Sequence, residues 1–177
     1  MRVWIVELEA HEQRYTKQWR DHLPDQIEEA AKRLGKRAEI VPVTGDAAEQ
    51  KTTAGAFLNF ADTNIFKSSQ LIKIAKAFSN GEVKQGDKFL VTDAWNPAII
   101  QLRYMSELLE IPVEIHSIFH AGSYDQWDFL GRKIADKRWS YSFERSIFYA
   151  SDACYFATDF HIDMFRTVLG IDNDFAR

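Results

Sequence analysis

The sequence is poor in cysteine and has no long apolar run. Its only cysteine, Cys154, can form no disulfide within the chain and lies in an apolar stretch typical of a buried strand, which fits a reducing compartment. Apolar runs such as Val3–Val6 are far shorter than the roughly 18–20 residues that a membrane helix needs. The N-terminus reaches Glu7 without the apolar core and cleavage site of a signal peptide. These absences predict a cytoplasmic chain with no transmembrane segment.

Several nucleotide-binding and catalytic motifs are also missing. After the first apolar run, where G-x-G-x-x-G would mark a dinucleotide site, the sequence has Glu7–His11, and it contains no G-x-x-x-x-G-K-[ST]. Gly122-Ser123-Tyr124 lacks the second glycine of a serine hydrolase elbow. His116 and His120 fall on one side of an extended strand but match no recognised ligand spacing. We therefore predict neither a cofactor nor a metal site.

The acidic net charge argues against a protein whose whole surface binds nucleic acid. The formal net charge is −4 and the isoelectric point is near 5.7. One basic cluster, residues 132–138, contains Arg132, Lys133, Lys137 and Arg138, and on a helix it could contact phosphates or anions of a membrane surface. Acidic residues surround this cluster, which favours an ordinary solvated face.

Apolar runs of strand length alternate with longer segments of helical period, the pattern that builds βαβ units and a parallel sheet. The sequence therefore predicts one α/β domain over residues 1–177. We expect a doubly wound, Rossmann-like, mostly parallel sheet with helices on both faces. The predicted strands are Arg2–Leu8, Arg37–Val43, Lys88–Thr92, Val113–Phe119 and Ala153–Ala157.

Six helices are predicted between and after these strands. Pro24 is expected to separate the first helix from a preceding turn, Tyr15–His22. In the second helix, five apolar residues recur at helical spacing and are predicted to face the core. These residues are Ile65, Leu71, Ile72, Ala75 and Phe78. The predicted helices are Asp25–Leu34, Asn64–Phe78, Asn96–Glu110, Trp127–Asp136, Tyr141–Ser151 and Asp159–Leu169.

Polar and aromatic residues follow most of the predicted strands directly. Ligands of open parallel sheets bind beyond the carboxyl ends of the strands, so these residues are the candidate site. Carboxylates and imidazoles exchange hydroxyl protons and aromatic rings offer flat apolar faces, a combination that suits a sugar. The predicted binding residues are Glu9, His11, Arg14, Tyr15, Trp95, Asn96, Tyr124, Asp159 and His161, and the predicted catalytic residues are His120 and Asp93.

The last third of the chain resembles the end of the N-terminal domain in GT-B fold glycosyltransferases. Glu144-Arg145 on a helix precedes an alanine-aspartate turn, a short strand and Thr158, and a final helix ends at Gly170. The strand that ends at His120 resembles the one that places a histidine at the GT-B cleft. The aromatic-rich composition is also similar to that of phage-encoded transferases that modify DNA bases, which implies DNA as a further possible partner.

This resemblance implies that the chain is the half of a glycosyltransferase that binds the sugar acceptor. His120 and Asp93 match the positions of the catalytic residues that such a domain supplies. Only residues 171–177 follow Gly170, so the resemblance implies that a missing C-terminal domain or a partner chain binds the nucleotide sugar.

Two other functions stay open at the level of the sequence. The first is a freestanding module that binds a nucleotide or small metabolite without catalysis, holding phosphates at helix N-termini. The second is a small hydrolase that uses Asp93 and His120 as acid and base, which requires both side chains to reach one cavity.

Overall fold

The computed structural model describes residues 1–9, 16–47 and 58–171. Strands and helices alternate along the described chain. The strands are β1 (Arg2–Val6), β2 (Glu39–Val43), β3 (Lys88–Val91), β4 (Glu114–Phe119) and β5 (Ala153–Phe156). The helices are α1 (Thr16–Arg33), α2 (Phe60–Ser79), α3 (Ala98–Leu108), α4 (Phe129–Lys133), α5 (Lys137–Ala150) and α6 (Asp159–Leu169).

The five strands form one parallel sheet in the order β2-β1-β3-β4-β5. This confirms the predicted doubly wound α/β fold, in the strand order of flavodoxin-like proteins. The chain moves one way along the sheet from β1 to β2 and the other way from β3 onward. Because crossovers are right-handed, α1 covers one face and α2, α3 and α5 cover the other. The order reverses between β1 and β3, where such sheets open a crevice for ligands.

Aromatic stacking fills the core between the sheet and the helices α2, α3 and α5. Phe89 of β3 stacks between Trp4 of β1, at 5.5 Å between ring centroids, and Phe78 of α2, at 6.2 Å. Towards β5, the fully buried Phe165 of α6 contacts Phe119 at 4.9 Å. Burying one such ring stabilises the folded state by about 1.5–3 kcal/mol. The packing on this face therefore stabilises the sheet on which the site is built.

Helix α1 differs from its predicted form because Pro24 lies inside it. The predicted break at Pro24 is wrong, and the turn and the helix are one continuous element. A proline removes a single main-chain hydrogen bond from a helix interior. The half of α1 before Pro24 is held by a tertiary contact, in which Trp19 packs edge-on against His120 at 5.3 Å between ring centroids.

Helix α2 begins earlier than predicted, at an N-cap formed by Asn59, and presents a different face to the core. Of the predicted face, Phe78 is buried as predicted, but Ile65 and Ile72 are each 54% exposed, and the other buried residues include Phe66, Gln70 and Ile74. The polar Gln70 is stable there because its amide group is hydrogen-bonded. Even this helix, the longest in the described part of the chain, is not apolar enough to cross a membrane, and neither is any other described helix.

The two helices before β5 have different boundaries from the predicted ones. The predicted helix Trp127–Asp136 shortens to the single-turn α4, and α5 begins at Lys137 rather than Tyr141. The cause is Asp136, whose side chain accepts a hydrogen bond from the main-chain N–H of Arg138 and so starts α5 early.

Candidate functional site

A cavity of about 650 Å³ opens at the carboxyl ends of β1, β3 and β4. It lies at the reversal of strand order, where the fold predicts a ligand site. Loops form its floor, and α2, α4 and α5 form its walls. The lining residues are Leu8, Glu9, Thr16, Leu58, Phe60, Thr63, Asn64, Lys67, Asp93, Trp95, Pro97, His120, Ala121, Asp128, Phe129, Leu130, Lys133, Ile134, Trp139 and Phe143.

His120 is held on the cavity floor in one tautomer. Its Nε2 lies 2.7 Å from the carbonyl oxygen of Thr92, at the end of β3. A carbonyl only accepts hydrogen bonds, so Nε2 carries the proton and Nδ1 is the basic nitrogen of the neutral ring. Thr92 is itself fixed, because its hydroxyl accepts from the N–H of Leu8 at 2.8 Å and donates to the oxygen of Val6 at 3.1 Å. The end of β1 therefore helps to orient the imidazole.

Asp93 lies on the same floor as an ionised carboxylate. Its Oδ2 accepts from the ammonium of Lys67 at 2.8 Å, and its Oδ1 accepts from the N–H of Trp95 at 3.1 Å. Burial opposes the charge, but Lys67, the Trp95 N–H and, to a smaller degree, His120 hold the pKa of Asp93 below its ordinary value. The carboxylate is therefore a poor proton acceptor, and it lies close enough to His120 to stabilise an imidazolium ring.

The Asp93–Lys67 pair predicts a loss of stability in acid. Because the folded-state pKa of Asp93 is lowered, its stabilising contribution is complete above about pH 4, near the unfolded pKa, and disappears as pH falls through the folded value. Asp93→Asn should lower the free energy of unfolding by about 2 kcal/mol at pH 7, the range for hydrogen bonds to charged groups. Urea denaturation of both proteins between pH 7 and pH 3 measures this difference.

The matched control for that experiment is Asp21→Asn. Asp21 pairs with Arg20 at 3.1 Å in a solvent-exposed position, so its removal should cost less than about 1 kcal/mol at any pH. A difference between wild type and Asp93→Asn that stays constant down to pH 3 would contradict the assignment of Asp93 as the titrating partner.

Aromatic side chains form the upper walls of the cavity. Trp95 packs against Phe143 at 5.0 Å between ring centroids and edge-on against Trp139 at 6.2 Å. Across the cavity lining, Phe60 of α2 stacks on Phe129 of α4 at 5.5 Å. A polar floor beneath aromatic walls suits a ligand with hydroxyl groups on a ring that also has an apolar face.

A buried polar layer supports the floor and accounts for Asn96. The side-chain nitrogen of Gln70 donates to the main-chain oxygens of Glu7 and Val43, at 2.6 and 2.9 Å. Asn96 donates to the Gln70 oxygen at 3.1 Å and accepts from the N–H of Ala98 at 3.0 Å. Asn96, a predicted binding residue, is buried outside the cavity lining, and these bonds give it a structural role.

Side chains cap the N-termini of α2 to α6. In each case an oxygen accepts a hydrogen bond from an N–H of the first turn, a group that a bound phosphate would otherwise use. Two of the caps are carboxylates, which repel anions. The capping residues are Asn59, Asp128, Asp136 and Thr158. At α3, Asn96 lies one residue before the N-cap Pro97 and accepts from the N–H of Ala98.

The other predicted residues divide into three groups. Glu9 and Trp95 line the cavity together with His120 and Asp93. His11, Arg14 and Tyr15 lie outside the described residues. Tyr124, Asp159 and His161 lie outside the cavity lining.

Two members of the third group meet each other near β5. Tyr124 is buried, with its ring 6.3 Å from that of His161, and His161 lies 3.6 Å from a carboxylate oxygen of Asp125. Burial, reinforced by the nearby carboxylates, raises the pKa of Tyr124. Asp159 is exposed in the first turn of α6.

The basic cluster of residues 132–138 forms no continuous cationic surface. Lys133 lines the cavity, and Lys137 turns inward to the main-chain oxygens of Ser123 and Gly131. Arg138 pairs with Asp136 at 2.9 Å.

Sequence reasoning missed Lys67 and the aromatic wall of α5. Lys67 lies about two turns inside α2, so no strand end pointed to it, and its bonds to Asp93 and to the main-chain oxygen of Trp95 connect it to the site. Trp139 and Phe143 are four residues apart on α5 and therefore share a face, which was the available signal.

Among the described residues, no group of three or more His, Cys, Asp or Glu side chains could hold a metal ion. Comparison with protein-family models, with curated proteins and with solved structures gave no match to this chain. The functional interpretation therefore depends on the cavity itself.

Proposed function

We propose that this chain is the acceptor-binding half of a glycosyltransferase, and that the cavity binds a neutral, hydroxyl-bearing ring. One observation carries the proposal: the imidazole of His120, held in a single tautomer, lies on the polar floor of the cavity beneath its aromatic walls. Trp95, Trp139 and Phe143 provide the flat surfaces on which the apolar face of a sugar packs.

In the proposed reaction, His120 acts as the general base. The acceptor hydroxyl attacks the anomeric carbon of the donor sugar, the bond from that carbon to the nucleotide phosphate breaks, and the hydroxyl proton passes to Nδ1 of His120. The ionised Asp93 stabilises the imidazolium that results. A second domain or a partner chain supplies the nucleotide sugar.

The charges of the cavity favour a neutral ligand over a nucleotide. Acidic and basic side chains nearly balance in the lining, and the Lys67 ammonium is already paired. The caps of α2 to α6 occupy first-turn N–H groups that phosphates use in other folds. The charged lining residues other than His120 are Glu9, Lys67, Asp93, Asp128 and Lys133.

These features argue against the nucleotide-binding module as a first choice. They also disfavour a hydrolase in which Asp93 donates a proton, because Asp93 is held ionised. A neutral metabolite bound without catalysis would use the same cavity, and the distinction rests on transfer activity.

Thermal unfolding tests the proposed ligand class. Neutral mono- and disaccharides and aryl glycosides at about 100 times their Kd should raise the free energy of unfolding by about 2.7 kcal/mol, or roughly 5–10 °C in Tm. Trp139→Ala should abolish this response. The control, Trp127→Ala, removes a tryptophan that is 74% exposed and outside the lining, and should respond as wild type does. Stabilisation by free nucleotides, with none by neutral sugars, would contradict the proposal.

A further inference from the structure

One carboxylate buried behind the cavity joins the two loops that carry its polar floor. Glu144 of α5 is fully buried. Its oxygens accept three hydrogen bonds, from the main-chain N–H of Ser123 at 2.5 Å, from the Ser123 hydroxyl at 2.8 Å and from the indole N–H of Trp95 at 2.9 Å. Ser123 lies three residues after His120, and Trp95 lies two residues after Asp93.

Both oxygens of Glu144 have hydrogen-bond donors. All three partners donate to the carboxyl group. A glutamine could keep both N–H bonds on its Oε1 and donate its NH₂ to the Ser123 hydroxyl, whereas a leucine would remove all three bonds. Gly122 leaves room for the carboxylate, because a Cβ there would collide with Oε1 of Glu144 and with the ring of Tyr124. Burial is the largest influence and holds the pKa of Glu144 above its ordinary value, although the hydrogen bonds from Ser123 and Trp95 and the nearby Lys137 ammonium oppose it.

A second connection reinforces the first. Lys137, on the same helix, donates to the main-chain oxygens of Ser123 and Gly131 at 3.3 and 2.5 Å. Gly131 belongs to α4, which forms the wall opposite Trp95. Helix α5 thus holds the loop after β4 through two side chains, Glu144 and Lys137.

We propose that Glu144 is the positioning residue of this site: by binding Ser123 and Trp95 at once, it fixes the His120 loop and the Trp95 wall relative to each other. The inference deepens the proposed function, since it says how the general base and the acceptor platform are aligned. Its test requires neither a ligand nor sugar transfer, so its failure and the failure of the proposed function are distinguishable.

The test is NMR spectroscopy of ¹⁵N-labelled protein, with Trp95→Phe used to assign the Trp95 indole signal. In Glu144→Leu, we expect this indole proton to move upfield and to exchange with solvent about tenfold faster or more, because its hydrogen bond to Glu144 is lost. The His120 ring nitrogens should lose the pattern of a single Nε2–H tautomer. Glu107→Gln, an exposed change on α3, should leave both signals in place.

Unchanged Trp95 and His120 signals in a folded Glu144→Leu protein would overturn the inference and leave Glu144 a purely structural residue. If Glu144→Leu fails to fold, two variants that each remove one donor replace it. Trp95→Phe should shift the Ser123 amide and the His120 ring signals, and Ser123→Ala should shift the Trp95 indole signal. Because Trp95 and Ser123 are joined through Glu144, the absence of either cross-effect would also overturn the inference.

Discussion

Replacing His120 with alanine should lower the turnover of sugar transfer about 10²–10⁴-fold, the usual contribution of general acid–base catalysis. The residue lost is the single-tautomer imidazole whose Nδ1 takes the acceptor proton. The measurement is kcat for the chain combined with a donor-binding domain, over one panel of nucleotide sugars. Asp93→Ala should reduce turnover as well, because the imidazolium loses its nearby negative charge.

Two further variants separate chemistry from structure in that experiment. His120→Gln keeps an N–H that can donate to the oxygen of Thr92 but provides no basic nitrogen, so it should be as slow as His120→Ala. His22→Ala removes an exposed histidine of α1 and should keep wild-type turnover. Wild-type turnover in His120→Ala would remove this residue from the mechanism. Full activity of the 177-residue chain without a donor domain would refute the half-enzyme proposal.

Phe165→Ala should lower the free energy of unfolding by about 3–5 kcal/mol, the range for truncating a buried aromatic ring. Phe165 is fully buried and its ring lies 4.9 Å from Phe119, 4.9 Å from Tyr124 and 5.0 Å from Phe156. Its loss leaves a cavity between α6 and the edge of the sheet that these rings cannot fill. Chemical denaturation with a two-state fit measures the change.

The control on the same helix is Phe160→Ala. Phe160 is 69% exposed, so its truncation should change stability by less than about 0.5 kcal/mol. A loss of less than about 1 kcal/mol in Phe165→Ala would contradict the arrangement of rings described for this end of the sheet.

The sheet could be predicted from the sequence because its strands are short apolar runs with few competing interpretations. Phe89 begins the apolar run Phe89–Val91, and Ile115 lies between Glu114 and His116 in the alternation that is typical of a strand. Helix α2 was harder, since its buried face includes Gln70 while Ile65 and Ile72 are exposed. The hydrophobic pattern of α2 predicts that Gln70 faces solvent. Gln70 is buried because its side chain donates hydrogen bonds to the main-chain oxygens of Glu7 and Val43, which the sequence pattern does not reveal.

The site was predictable as far as it lies directly after strands. Glu9, Asp93, Trp95 and His120 follow β1, β3 and β4, and the order of the strands brings these ends together. The same reasoning selected His161, which follows β5 at the sheet edge and lies outside the cavity lining. The alternation of strands and helices in the sequence predicts a parallel sheet, and so identifies the end of the sheet that binds ligands. It does not predict the order of the strands, which decides which loops lie together and which depends on contacts distant in sequence.

The position of β1 between β2 and β3 sets an order of events during synthesis. Val3 pairs with Lys88, a separation of 85 residues (88 − 3), and Thr92 must also be present before it can bond to the end of β1. At about 5–20 residues per second, the ribosome delivers this partner strand roughly 4–17 s after the first one. Until then, Trp4 and Ile5 have only β2 to pair with, so one edge of the first strand is open. The nascent chain therefore passes through a period in which an apolar strand edge needs protection from other chains.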